Sequence, residues 1–134
     1  MRRIAALAVV ALFGIALVNF AEDKKSAEPQ IGHMLFFKLK ASSPEARQKL
    51  VDACNKYLSG HDGTAYYSAG IIGDDFKRDV NDRDFDVALH LVFTDKANYD
   101  KYAVAPRHLE FIAENKEGWE KVRVFDSLVT PLKK

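Results

Sequence analysis

The sequence predicts an α+β domain of the ferredoxin-like βαββαβ type, a four-stranded antiparallel sheet with helices on one face. Two patterns predict this fold. Four short segments rich in apolar residues indicate strands, and two longer segments with apolar residues at helical spacing lie between them. The 134 residues are the size of one domain, and the 48% hydrophobic and 29% charged fractions are typical of a globular protein.

The first strand and helix are indicated by alternation and by capping residues. Residues 31–40 are the first strand, and alternate positions share one face: Ile31, His33, Leu35, Phe37 and Leu39. The helix begins either at Ser42, with Glu45 completing a capping box, or at Ser43, ahead of a proline at the first helical position. Gly60 is a typical residue to end it.

The middle of the chain predicts two strands around a charged connection. Residues 64–73 are the second strand, 74–84 the connection and 85–93 the third strand. In the third strand, alternation places on one face Phe85, Val87, Leu89, Leu91 and Phe93, and on the other Asp86, Ala88, His90 and Val92. His61, which precedes the second strand, is expected to be solvated in a turn.

The second helix is predicted to be broken. It is capped at Asp95, ends before Pro106 and resumes beyond that proline, and residues 119–129 follow as the fourth strand. Tyr102 and His108 flank the break. A kink at Pro106 can direct both side chains at one cavity, where a titratable imidazole and a phenol handle protons.

The N-terminal segment is predicted to direct export. Two arginines precede a run of apolar residues, so residues 1–21 are predicted to be a signal peptide or, alternatively, an uncleaved N-terminal anchor. Residues 22–30 form a charged linker and residues 31–130 the folded domain. The expected location is secreted or periplasmic; in the alternative, residues 4–21 anchor the protein to the membrane.

Charge and cysteine content limit the partners and cofactors. A net charge of +1 provides no basic field for a polyanion, which argues against nucleic acid as a partner. Cys54 is the only cysteine, so no intrachain disulfide can form, and its place on an apolar helix stripe predicts a core position. The four histidines lack the short spacings of metal ligands, so no metal or other cofactor is expected.

The sheet face opposite the helices predicts self-association. The first and third strands carry apolar residues on both faces, and an exposed apolar patch of that size usually marks an interface. Burial against a second copy would cover it, so we expect a homodimer.

Four pieces of sequence in this order resemble the stress-responsive dimeric A/B-barrel (Dabb) family: GHMLFFKLK, FDVALHLVF-TD, Y-x-x-x-P-x-H-x-x-F and VRVFDSL, from Gly32 to Leu128. The resemblance implies a ferredoxin-like monomer whose sheet pairs with that of a partner in a dimeric α/β barrel. Related barrels include plant polyketide cyclases and small cofactor-free or haem-using monooxygenases, and many members have no assigned reaction.

The resemblance also implies candidate site residues. His33, Tyr102 and His108 fall on family positions that line a pocket and are the catalytic candidates. The wider predicted ligand pocket comprises His33, Leu35, Val87, His90, Tyr102 and His108. The sequence departs from the cyclase pattern at Val87 and Ala105, where cyclases have histidines.

Two functions remain open from the sequence. The first is an exported dimeric protein that binds a small apolar or aromatic molecule or acts in a stress response, in which His108 bonds to backbone and the Tyr102 hydroxyl lies at the pocket rim. The alternative is a cofactor-independent enzyme, similar to a polyketide cyclase or a monooxygenase, that transfers protons through His and Tyr.

Overall fold

The structure is a computed structural model that describes residues 28–131. The elements follow the predicted order, with the second helix in two pieces: β1 (Gln30–Leu39), α1 (Pro44–Leu58), β2 (Thr64–Ile71), β3 (Val87–Phe93), α2 (Lys96–Ala103), α3 (Pro106–Asn115) and β4 (Trp119–Val129). A short 3₁₀ turn, Lys116–Gly118, leads into β4. The ferredoxin-like prediction is therefore confirmed.

The four strands form one antiparallel sheet in the order β2-β3-β1-β4. β1 pairs along both edges, with Leu35 opposite Leu89 of β3 and opposite Val124 of β4. β2 and β4 are the outer strands. This register fixes which residues of β3 and β4 lie beside each residue of β1.

The core lies between one sheet face and the helices. α1 packs over β2 and β3 and against α3, while α2 contacts β1 and β3. The β3 residues on this face have no exposed surface: Val87, Leu89, Leu91 and Phe93. Cys54 of α1 is equally buried, which agrees with its predicted core position.

The start of α1 follows the capping rules. Ser43 caps α1 by accepting a hydrogen bond from Ala46 N–H at 3.1 Å, with Pro44 at the first helical position. Of the two predicted starts, the structure therefore has the one at Ser43. Gly60 lies just beyond α1 with φ of 68°, a conformation that glycine adopts without a steric cost.

The third strand starts two residues later than predicted, and its first residues were assigned to the wrong faces. Phe85 lies on the open face, where its ring contacts that of Phe36 at 5.1 Å. Asp86 is buried instead of lying on that face. Strand alternation begins only at Val87 because hydrogen bonds of Asp86 turn its carboxylate inward.

The Asp86 carboxylate joins three elements at one end of the sheet. It is 1% exposed and accepts hydrogen bonds from Leu39 N–H at 2.8 Å, Ser42 Oγ at 2.5 Å and Arg47 Nε at 3.0 Å. Burial acts to raise the pKa of Asp86, but these hydrogen bonds outweigh it and hold the pKa below its usual value. The Asp86 carboxylate is therefore buried and charged, and its hydrogen bonds connect the start of β3 to β1 and α1.

The open sheet face is apolar, as predicted. Phe36 lies at its centre, with the ring of Phe125 at 5.9 Å and that of His90 at 6.1 Å. Phe125 is 53% exposed and Tyr66, on β2, is 54% exposed. No helix within residues 28–131 covers this face, so the apolar rings are left to solvent or to a partner.

No helix among residues 28–131 is long and apolar enough to cross a membrane. The predicted export segment, residues 1–21, lies outside the described part of the chain.

We expect Asp86→Asn to lower the free energy of unfolding by about 3 kcal/mol, because it removes the charged partner of Arg47 from a buried site. Asp84→Asn is the matched control, because that carboxylate is 56% exposed and its surface pairs with Lys38 and Lys121 stabilise by less than about 1 kcal/mol. Urea unfolding measures both. Equal losses in the two variants would contradict the role of Asp86.

Candidate functional site

A cavity of about 340 Å³ lies between the sheet and the broken helix pair α2–α3. Its walls are mostly apolar and come from β1, β4 and both helices, with Leu35, Phe111 and Val122 among them. Val124 of the outer strand β4 also lines it and is 49% exposed, which places the cavity beside a sheet edge that solvent reaches. The lining residues whose side chains carry polar groups are His33, Tyr99, Tyr102, His108 and Trp119.

The break at Pro106 places Tyr102 and His108 together, as predicted. Proline has no N–H to donate to the Tyr102 carbonyl, which accepts from Ala105 N–H at 3.0 Å instead. The Ala103 carbonyl accepts from the His108 side chain at 3.0 Å. The Tyr102 and His108 rings lie 4.5 Å apart, and both line the cavity.

His108 is held as a neutral imidazole. The carbonyl oxygen of Ala103 can only accept, so Nδ1 of His108 carries the proton and Nε2 is an acceptor. Burial lowers the pKa of His108; the bond to Ala103 opposes this, and nearby His33 and His61 lower the pKa further. The predicted hydrogen bond between His108 and backbone is confirmed.

His33 is oriented by a carboxylate that the sequence analysis did not select. Its Nδ1 lies 2.5 Å from Asp126 Oδ1, and the Tyr99 hydroxyl donates to Asp126 Oδ2 at 3.1 Å. His33 is 7% exposed, whereas the Asp126 side chain is 43% exposed. Because a carboxylate only accepts, His33 Nδ1 donates and Nε2 is left as the acceptor when the ring is neutral.

A signal for Asp126 is present in the sequence. Asp126 belongs to the VRVFDSL segment, and pairing of the first and last strands places it directly opposite His33. Without the register between these strands, one acidic residue of β4 could not be distinguished from another. Tyr99 lies one helical turn before Tyr102, and it points at the same wall because residues three apart share a helix face.

The environment of Tyr102 differs from the prediction. Tyr102 is 3% exposed, and its hydroxyl is buried with no hydrogen-bond partner among residues 28–131, so the predicted rim position is wrong. Burial, with smaller effects of Cys54 and Tyr67, raises the pKa of Tyr102. Tyr102 therefore contributes its aromatic ring to the cavity wall, and its hydroxyl stays protonated.

His61 is not simply solvated. Its ring packs edge-on against Tyr102 at 5.0 Å, and its Nε2 lies 2.9 Å from the Tyr57 carbonyl oxygen. The prediction was wrong because the turn folds back onto the end of α1, which local sequence does not reveal. Three histidine rings therefore surround Tyr102: His33, His61 and His108.

The structure does not bring all six predicted pocket residues together. His33, Leu35, Tyr102 and His108 line the cavity. Val87 is fully buried in the core and is absent from the cavity wall, and His90 lies on the opposite face of the sheet beside Phe36. His90 points away from the helices because it is three residues from Val87, which is an odd strand spacing.

Among residues 28–131, the remaining reactive groups do not form a second centre. Cys54 has no exposed surface, and burial raises the pKa of its thiol to about 12, so the thiol stays protonated. Within residues 28–131, no group of three or more His, Cys, Asp and Glu side chains is placed to hold a metal ion.

A family model described as Stress Responsive A/B Barrel Domain matches residues 31–129. No curated protein matches the chain. Among solved structures, a dabb family protein with a ferredoxin-like fold from Mesorhizobium loti is 23% identical, with a TM-score of 0.61 over 79% of this chain and 100% of that one.

Two further structures share the fold. The hydroxynitrile lyase of Passiflora edulis is 19% identical, with a TM-score of 0.62 over 80% of this chain and 99% of that one. A dimeric ferredoxin-like protein of unknown function from Thermobifida fusca is 14% identical, with a TM-score of 0.62 over 76% of this chain and 92% of that one. At these identities the likeness establishes the fold alone.

We expect His108 to titrate below 6.5, the value of an ordinary histidine, because burial disfavours the imidazolium. The unfolded chain then binds a proton at His108 more readily than the folded chain does. The neutral His108 therefore contributes stability above pH 6.5, and this stability is lost as the pH falls through the folded pKa of His108. NMR titration measures the midpoint. Urea unfolding at about pH 8 and about pH 5 measures the stability.

His108→Asn is the matched variant, because asparagine can keep an N–H for the Ala103 carbonyl but does not titrate. It should lose less stability between the two pH values than the wild type. An equal loss would contradict the buried neutral histidine.

Proposed function

The chain belongs to the stress-responsive A/B barrel domain family, and we propose that within it the protein binds a small, mostly apolar molecule in the cavity under α2–α3. The cavity itself carries this proposal. Its volume of about 340 Å³ lies within the range of small-molecule sites, and its apolar walls meet a few polar groups, the usual composition of such sites. A single substituted ring is the size of ligand that suits it.

We further propose that two copies pair through their open sheet faces. Phe36, Phe125 and Tyr66 present an apolar surface there, and burying such a surface is the main driving force of association. The similar protein from Thermobifida fusca is dimeric, which supports pairing of two copies. The cavity lies on the other sheet face, so each subunit would keep its own site.

A second candidate function is proton transfer by His33. The observation that favours it is the hydrogen bond to Asp126, which orients His33 and would stabilise the imidazolium formed when Nε2 takes a proton from a ligand. The Passiflora edulis relative is a hydroxynitrile lyase, so this fold can support catalysis. Deuterium exchange into a bound carbonyl compound, absent in His33→Asn, distinguishes catalysis from binding alone.

We also propose that residues 1–21 direct export and that the domain acts outside the cytoplasm. The basic start followed by an apolar run supports this proposal. The mass of the protein purified from the cell envelope distinguishes a cleaved signal from a retained anchor.

We expect propylbenzene, a neutral single-ring probe, to change the fluorescence of Trp119 in a saturable way, since this only tryptophan of the chain lines the cavity. Val122→Phe should abolish the change, because the larger side chain fills the cavity from the outer strand β4. Val104→Phe is the control, because Val104 is 71% exposed and lies outside the cavity. Saturable binding that Val122→Phe leaves intact would contradict this site.

We expect Phe125→Asp to convert a dimer into a monomer, because it places a charge on an apolar interface. Phe125 is 53% exposed in one subunit, so the fold should tolerate the change. Val104→Asp, on the helix side of the molecule, should leave the dimer intact. Light scattering after size-exclusion chromatography measures the mass; a wild-type monomer would refute the pairing.

A further inference from the structure

The histidines that line the cavity have their tautomers set by the protein. His33 and His108 each use Nδ1 toward an oxygen that can only accept, a carboxylate in one case and a backbone carbonyl in the other. No hydrogen bond within residues 28–131 uses Nε2 of either ring. Two imidazoles of the cavity wall therefore offer acceptor nitrogens to a ligand.

Other polar groups near the cavity also act as hydrogen-bond acceptors and not as donors. The Tyr99 hydroxyl already donates its proton to Asp126, so it has only lone pairs left for a ligand. The carboxylate of Asp126 adds negative charge next to His33. Among the described residues no lysine or arginine lines the cavity, so the wall offers an anion no permanently charged group.

Two of the lining residues carry donors, Tyr102 with its hydroxyl and Trp119 with its indole N–H. The indole N–H of Trp119 is shielded from solvent and has no hydrogen-bond partner within residues 28–131. Because neither donor has accessible surface, a ligand in the cavity meets the acceptor nitrogens of His33 and His108 instead. A hydroxyl group suits this wall because it has a proton to donate to these nitrogens.

We infer that the cavity selects a neutral ring compound that carries a hydroxyl group, a phenol or a cyclic enol, over an ether or a carboxylate of the same size. This inference rests on the proposed binding function and adds the chemical class of the ligand. An ether lacks the proton that Nε2 of His33 or His108 would accept. A carboxylate lacks it too and also brings a charge to a wall that holds Asp126.

The test compares three probes that differ in one group: 4-propylphenol, 4-propylanisole and 4-propylbenzoate. Binding to the full chain at neutral pH is followed by Trp119 fluorescence and by calorimetry. We expect the phenol to bind about tenfold more tightly than the anisole, since one hydrogen bond contributes about this factor. The benzoate should bind more weakly than both.

Two variants test the acceptor nitrogens. Asparagine can replace the Nδ1 donor of histidine while removing Nε2, so His33→Asn and His108→Asn should reduce the preference for the phenol with little effect on the anisole. His61→Gln is the control, because His61 bonds to Tyr57 through Nε2, where glutamine places its amide, and does not line the cavity. If one asparagine variant fails to fold, the other carries the test.

The outcomes separate the two proposals. If the phenol and the anisole bind equally, or if neither asparagine variant changes their ratio, the ligand class is refuted while the binding function stands. Tighter binding of the benzoate also refutes the ligand class. If none of the probes binds, both the proposed binding of a small ring compound and the proposed ligand class are refuted.

Discussion

The pairing of β1 along both of its edges is the constraint on which the rest of the structure depends. β3 lies on one side, in the register that sets Leu35 opposite Leu89, and β4 lies on the other, in the register that brings Asp126 beside His33. A slip of one residue would turn His33 to the open face and Phe36 into the core. The cavity, its polar wall and the apolar open face all follow from these two alignments of β1.

The two faces of the sheet carry different features. The helix side encloses the cavity, while the other side presents aromatic rings around Phe36. His90 and His33 lie on adjacent strands, yet they serve different faces because their side chains point in opposite directions. A change on the open face can therefore alter association without touching the cavity wall, and a ligand bound under α2–α3 need not contact a partner subunit.

Local sequence was sufficient for the elements and insufficient for the contacts between them. The proline break and the bond from His108 to backbone were predictable because both arise within seven residues, Tyr102–His108. The burial of Asp86 was not, since its partners Leu39, Ser42 and Arg47 lie about forty residues away in sequence. Asp126 was missed for the same reason. Long-range register, and not residue type, distinguishes the carboxylates that matter from those at the surface.

The arrangement at the helix break has a consequence for how the sequence can change over time. Pro106 cannot donate to the helix, and His108 supplies a side-chain donor to Ala103 next to the break. The two residues depend on each other. Without the break at Pro106, His108 would lose its hydrogen bond to the Ala103 carbonyl, and without His108 that carbonyl would lose its side-chain donor. The two positions should therefore behave as one inherited unit, with their substitutions strongly epistatic.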